Sequence, residues 1–246
     1  MKFSLNLTVA TRTEWVDAVM ADIPAFLQDH ADCERKASAM AMSLVAKYPD
    51  RLEIIPELIA TGVEELEHFQ QVYNVMRERG IPLAREIEVD PYVKALMALI
   101  HSDSMRRFLD RLLLASIIEC RGAERFRLLS EAMSDDEQLK NFYHDLWVSE
   151  ARHGHIFVGM ALEYFEKDRV YGRLTELNEA EGRIVDVLER RTTQIVGRLE
   201  IDAGGTRVVP FDSRMLHKVF LPDRDLSGAL PGDMVVVELT RFPAPY

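Results

Sequence analysis

The sequence predicts a mostly helical protein, a bundle of four long helices followed by a small β module, on three observations. Apolar residues recur at intervals of three and four from about residue 11 to 190. Gly and Pro fall mainly between these periodic runs. Near Thr192 the spacing gives way to short segments rich in Val, Ile and Phe, separated by Gly, Pro and Asp pairs. A chain of 246 residues holds one large domain or two small ones, and the change of period divides it into 1–190, helical, and 191–246, β.

Thr11 followed by Glu14 reads as a capping box opening a short helix. From Ile23 to Tyr48, Phe26, Leu27, Ala31, Ala37, Ala41, Leu44 and Val45 share one side of a first long helix. Asp50 and Pro56 start a second, with Leu58, Gly62, Leu66, Phe69, Val72 and Met76 inward, and Gly80 with Pro82 ends it. Asp90 and Pro91 form a cap and first-turn pair for a short helix to about Ile100. Asp103 to Leu129 is the third long helix, with Leu112, Ala115, Ala123 and Phe126 on a face. Ser134 caps the fourth, which runs to about Glu166 with Tyr143, Leu146, Trp147, Phe157 and Leu162 inward. A further helix spans Arg173 to about Arg191, and short links between the long helices suggest a bundle. Strands are expected at Ile195–Ile201, Thr206–Phe211, Lys218–Leu221 and Met234–Leu239.

Hydrophobic residues at 48% and charged residues at 29% are those of a globular protein, which excludes a disordered tail or a disulfide-stapled miniprotein. The net charge of -11 disfavours a nucleic-acid binder running on a generally basic surface, so any RNA contact must be local. Two cysteines, Cys33 and Cys120, build no disulfide framework, and no apolar run suits a signal peptide or membrane span, so a reducing cytoplasm and no membrane partner are expected.

Chemistry enters through a repeated spacing. Glu34 lies 31 residues before Glu65, Glu119 lies 31 residues before Glu150, and each second Glu has a His three residues on, His68 and His153. An i, i+3 pair on a helix puts both side chains on one face, so both can grip one metal. Chance alone yields roughly 0.65 Glu-x-x-His matches in such a composition, so the shared offset carries more weight than the motif. All four carboxylates also fall on inward stripes: Leu58 and Val72 flank Glu65 at seven residues, Leu112 and Phe126 flank Glu119, and Tyr143 and Phe157 flank Glu150. Four ionised carboxylates in an apolar bundle are too costly unless protonated, paired or bound to cations. Two divalent ions balance them, and mixed O and N donors suit iron or manganese better than structural zinc. One Glu from each of two helices plus Glu-x-x-His from two others is the arrangement of di-iron and di-manganese carboxylate bundles. Glu34, Glu65, His68, Glu119, Glu150 and His153 are therefore the expected ligands, with Glu65 and Glu150 as bridges.

Neighbouring groups are set aside on rotation about the helix. Glu64, Glu67 and Glu124 turn toward solvent or a helix boundary, His144 and His155 lie off the ligand face, and Cys33 and Cys120 point about 100° from their ligand neighbours as buried, inert thiols. Tyr143, one heptad before Glu150, either donates to a ligand carboxylate or packs in the core.

The runs Phe26-Leu27-Gln28-Asp29-His30-Ala31-Asp32-Cys33-Glu34-Arg35-Lys36-Ala37, Glu64-Glu65-Leu66-Glu67-His68-Phe69, Ile118-Glu119-Cys120-Arg121-Gly122-Ala123-Glu124-Arg125-Phe126 and Ser149-Glu150-Ala151-Arg152-His153 resemble the bacterial tRNA 2-methylthio-N6-isopentenyladenosine hydroxylases over roughly residues 1 to 185. The resemblance implies a ferritin-like four-helix bundle with two Fe ions. It implies a monooxygenase that hydroxylates the isopentenyl side chain of the modified adenosine next to the anticodon, using O2 and two electrons from a reductase or ferredoxin. A tRNA partner needs phosphate contacts, for which Arg106, Arg107, Arg111, Arg121, Arg125 and Arg127 on the third long helix form the candidate patch. An iron storage or peroxide-scavenging protein would use the same ligands, and a helical adaptor without a metal is a third class.

The tail departs from that family. Val196-Gly197-Arg198-Leu199-Glu200, Val208-Val209-Pro210 and the run from Gly228 to Pro243 resemble the OB-like RNA-binding module of ribonuclease R-type exonucleases, a partial barrel, without the domain that carries their catalytic Asp cluster. The module is expected to lack stacking rings, with Thr206 and Arg207 where rings would help. Its role is either tRNA docking or that of a fusion relic.

Overall fold

The computed structural model describes residues 6–85, 90–188, 194–202, 205–211, 219–222, 226 and 228–238. The chain divides into two compact units, Met1–Glu189 and Arg190–Tyr246. Its helices are α1 (Thr13–Ala21), α2 (Ile23–Lys47), α3 (Ile55–Glu78), α4 (Pro91–Met97), α5 (Ser104–Ala132), α6 (Glu137–Leu162) and α7 (Lys167–Leu188). Its strands are β1 (Gln194–Asp202), β2 (Gly205–Pro210), β3 (Val219–Phe220) and β4 (Met234–Glu238). The expected helix end near Arg191, the strand end at Leu239 and several turn residues of the β module lie outside the described residues. Among the described residues no helix is long and apolar enough to cross a membrane.

Short acidic side chains fix most helix starts. Asp22 accepts from Ala25 N, Asp90 from Tyr92 N, Asp103 from Arg106 N and Asp136 from Leu139 N, each satisfying an otherwise orphaned amide. Two expected caps are corrected. Thr11 does not cap α1; its hydroxyl donates to Glu124 at 2.8 Å, and Arg12 precedes the helix without a side-chain cap. The cap of α6 is Asp136, not Ser134. The fourth long helix stops at Leu162 and the next begins at Lys167, because a turn at Glu163 and Tyr164 separates them.

Helix α2 packs along α3 and α5 along α6. In each hairpin a serine hydroxyl donates to a glycine carbonyl on the partner helix, Ser38 to Gly62 at 2.7 Å and Ser116 to Gly154 at 2.6 Å. At Gly154 the approach is so close that a Cβ would lie 2.5 Å from Cys120 Sγ. Two apolar clusters fill the bundle. One gathers Leu44, Leu58, Leu112, Phe157 and Ala161; the other gathers Leu27, Val72, Phe126, Tyr143 and Leu146. Leu66 and Leu162, expected inside, are 54% and 37% exposed. For Leu66 the reason is rotation: Glu65 takes the inward position, and the next residue points about 100° away.

Arg121 belongs to the core rather than to a phosphate patch. It is 1% exposed and its guanidinium donates to both carboxylate oxygens of Glu181 (2.8 and 3.0 Å), to Glu124 at 2.5 Å and to the carbonyl of Val9 at 2.8 Å. Tyr92 donates to the same Glu181. The network ties the chain entry, α4, α5 and α7 together. Four other arginines of the expected patch are also engaged: Arg106 with Asp103, Arg107 with the carbonyls of His101 and Ser102, Arg127 with Glu131, and Arg125 over the ring of Trp15; Arg111 has its Nε buried without a hydrogen bond.

In the second unit the strands form one antiparallel sheet in the order β3-β2-β1-β4. Ile195, Leu199 and Val208 are buried, whereas Val196, Met234 and Val236 face solvent. Gly205 opens β2 at φ 107°, a conformation that favours glycine. The expectation of a ring-free surface is corrected: Phe220, in register with Arg207, is 70% exposed and Phe211 54%. Thr206 is buried.

Removing one partner of a buried ion pair strands the other charge. Arg121→Ala is expected to lower unfolding stability by about 3–5 kcal/mol in denaturant titrations, and Arg121→Met with Glu181→Leu to recover most of that loss.

Candidate metal centre

Helix α2 carries Glu34, α3 carries Glu65 and His68, α5 carries Glu119, and α6 carries Glu150 and His153. All six are buried. They converge in two groups whose ligand atoms lie within 4.8 Å of one another: Glu34, Glu65, His68 and Glu150, and Glu65, Glu119, Glu150 and His153. Glu65 and Glu150 belong to both. The layer sits between the two apolar clusters because each Glu has core residues one heptad to either side, as Leu27 and Ala41 flank Glu34.

His153 Nδ1 lies 2.8 Å from Glu65 Oε1 and 3.0 Å from Glu150 Oε2. His68 Nδ1 lies 2.9 Å from Glu150 Oε1, 3.6 Å from Glu65 Oε2 and 3.8 Å from Glu34 Oε2. Burial lowers both imidazoles, but the facing carboxylates of Glu150 and Glu65 outweigh it and lift His68 to about 9 and His153 to about 11. Burial also opposes ionisation of Glu65 and Glu150, yet the two imidazoliums overcome it and hold both carboxyls below their ordinary range. Burial, joined by the charges of Glu150 and Glu65, pushes Glu34 and Glu119 well above it. Without a cation the layer offsets its own charge: the imidazoles favour their protonated forms, Glu65 and Glu150 their ionised ones, and Glu34 and Glu119 resist ionisation.

The donor set fits two divalent cations. Glu65 Oε1, Glu150 Oε1 and His68 Nδ1 are buried without a hydrogen bond, although each has a polar neighbour at 2.8 or 2.9 Å. Their separations are those of hydrogen bonds and their angles are not, as expected of donors shaped for a shared ion. Four carboxylates and two neutral imidazoles match two +2 charges, with the oxygen-rich, part-nitrogen character that iron and manganese accept.

Two residues beside the ligands were misread or missed in the sequence. Glu64 does not turn away: its Oε2 lies 3.1 Å from His153 Nε2, and Ser149 and Arg152 donate to its Oε1 at 2.8 and 2.5 Å. The charge of this carboxylate favours a proton on the far ring nitrogen, and so the tautomer that presents Nδ1 to the site, although the angle is not that of a hydrogen bond. His30, one turn before Glu34, is buried with Nε2 2.6 Å from Glu34 Oε1 and Nδ1 3.2 Å from the Tyr143 hydroxyl. Burial holds its imidazole down at about 3. The i, i+4 pair His30–Glu34 was the available signal. Glu124 pairs with Arg121, and Glu67, His144 and His155 are exposed. Cys120 is half-buried and burial, then the Glu181 charge, pushes its thiol to about 11; Cys33 is exposed rather than buried.

A family model described as tRNA-(MS[2]IO[6]A)-hydroxylase (MiaE) matches residues 2–193, and a cold shock domain model matches 208–246. The chain is 36% identical to the tRNA 2-(methylsulfanyl)-N(6)-isopentenyladenosine(37) hydroxylase of Pseudomonas putida, over 69% of this chain and 81% of that one. It is 26% identical to the Salmonella typhimurium enzyme of the same name, over 67% and 77%. Ribonuclease R of Escherichia coli is 49% identical over 26% of this chain but only 8% of its own length. Among solved structures, a Synechococcus protein described as having aldehyde deformylating oxygenase activity superposes with a TM-score of 0.69 at 34% identity, over 72% of this chain and 88% of that one. The helical unit is a ferritin-like bundle of the oxygenase type.

Cation binding must displace protons from this layer. Because the imidazoles titrate above neutrality, affinity for Mn(II) is expected to rise with pH from about 6 to about 8. Calorimetry in buffers of different ionisation enthalpy should show proton release on loading.

Proposed function

The chain belongs to the tRNA-(MS[2]IO[6]A)-hydroxylase family, and we propose that it hydroxylates the isopentenyl side chain of 2-methylthio-N6-isopentenyladenosine beside the tRNA anticodon, at two irons held by Glu34, Glu65, His68, Glu119, Glu150 and His153. The observation that carries the reading is the convergence of these side chains in two groups sharing Glu65 and Glu150, which suits those two as bridges. The family match favours a hydroxylase over the storage, peroxide-scavenging and adaptor readings.

When bound, the irons supply reduction of dioxygen with two external electrons and replacement of an alkyl C–H by C–OH. The balance is one R–H, one O2, two electrons and two protons giving one R–OH and one water. The electrons are assigned to a reductase or ferredoxin. The protein holds the metals in place, orients His153 through Glu64, and keeps water from the layer with the apolar clusters on both sides. The modified base must leave its stack to reach a buried centre, which favours an anticodon-loop nucleotide over a paired one. Such a substrate fits a cytoplasmic enzyme.

The β unit is assigned to tRNA docking. Similarity to the cold shock domain and to ribonuclease R supports this, as do the exposed Phe220 and Phe211, since rings offer sequence-tolerant stacking for unpaired bases.

Reconstituted diferrous protein exposed to O2 with modified tRNA should yield the hydroxylated nucleoside by mass spectrometry. Ferric mineral growth without that product would reverse the reading. Glu119→Ala is expected to lose turnover and weaken one iron while helicity persists, and surviving turnover would void the ligand set. Phe220→Ala is expected to raise KM for tRNA roughly tenfold, as lost stacking of one base would, and to leave KM for the free nucleoside unchanged.

A further inference from the structure

We propose that His30 and Tyr143 are positioning residues that tie Glu34 Oε1 and hold this carboxylate in one orientation, a restraint that Glu119 lacks among the described residues. The inference rests on the iron-binding reading above. His30 and Glu34 stand one turn apart on α2, and Tyr143 reaches them from α6. The imidazole is 3% exposed and Tyr143 0%, so no solvent competes for their polar atoms. Rings enclose His30: Phe126 at 4.7 Å between centroids, Tyr143 at 5.6 Å and Phe26 at 5.9 Å.

An imidazole in such a cage is neutral, with one donor and one acceptor nitrogen. A carboxylate bound to a cation can only accept, so His30 Nε2–H donates to Glu34 Oε1 at 2.6 Å. The remaining lone pair on Nδ1 then accepts from the Tyr143 hydroxyl at 3.2 Å. The phenol thus selects the tautomer, and the tautomer ties Oε1. The bond takes one lone pair of Oε1 and fixes the plane of the carboxylate, with Oε2 facing His68 Nδ1.

Glu119 has no equivalent. Its carboxyl shares the other ligand group with Glu65, Glu150 and His153, and among the described residues no side chain donates to it from behind. The two carboxylates, related by the repeated spacing in sequence, are thereby unequal: one is tied from behind and the other is not.

The test is anaerobic titration with 57Fe(II), with affinity and the Mössbauer spectrum of the ferrous protein as readouts. Tyr143→Phe and His30→Leu are expected to weaken one of the two irons roughly tenfold, the size of effect typical of partners behind a ligand. They should shift one ferrous doublet and leave the other in place. His30→Gln, which restores a donor, is expected to recover most of the affinity. Variants that melt earlier yet keep the wild-type affinity and spectrum would reduce the pair to packing and overturn the proposal. So would a loss shared equally by both irons. If His30→Leu fails to fold, Tyr143→Phe, which removes one oxygen, decides alone. A wild-type chain that binds no iron would overturn the functional reading and this inference with it, whereas iron in the wild type and no change in the variants overturns this inference alone.

Discussion

The bundle is organised around one electrostatic constraint: six ionisable side chains lie in a single buried layer with apolar packing on both sides. Each isolated buried charge would cost several kcal/mol, so the layer exists only if its charges cancel. The helices meet that demand by geometry. Four rows of residues spaced by heptads present Leu, then Glu, then Ala, Val or Phe along α2, α3 and α5, while α6 presents Tyr143, Glu150 and Phe157. Serine-to-glycine contacts within each hairpin let the paired helices approach closely near the layer, and at Gly154 no side chain larger than hydrogen fits against Cys120.

The support behind the layer is uneven. Glu64 braces His153 from the solvent side, and its own oxygens are held by Ser149 and Arg152. His30 and Tyr143 brace Glu34 from the opposite cluster. A centre with identical donor types on its two halves therefore has unlike surroundings, and chemistry that treats two metals differently follows from the residues behind the ligands more than from the ligands themselves.

The bundle and its six convergent residues were legible because both are periodic. Heptad-spaced apolar residues on either side of each Glu gave the inward direction, and the offset of 31 gave the pairing. What escaped the sequence is what depends on reach instead of period. Glu64 is one residue from a ligand and was read as rotating outward, yet its side chain is long enough to return to α6. Arg121 looked like surface charge because arginine usually is, and only the meeting of α5, α7 and the entering chain supplies the acceptors that let it stay buried. Phe211 and Phe220 sit at strand ends where alternation is too short to assign a face. Helix ends were misplaced by a few residues where several capping side chains stood in a row, as at Ser134, Asp135 and Asp136.

Protons and cations take turns at the same seats in the buried layer. Each occupant of those seats excludes the other, so the layer couples the acidity of its surroundings to the supply of cations.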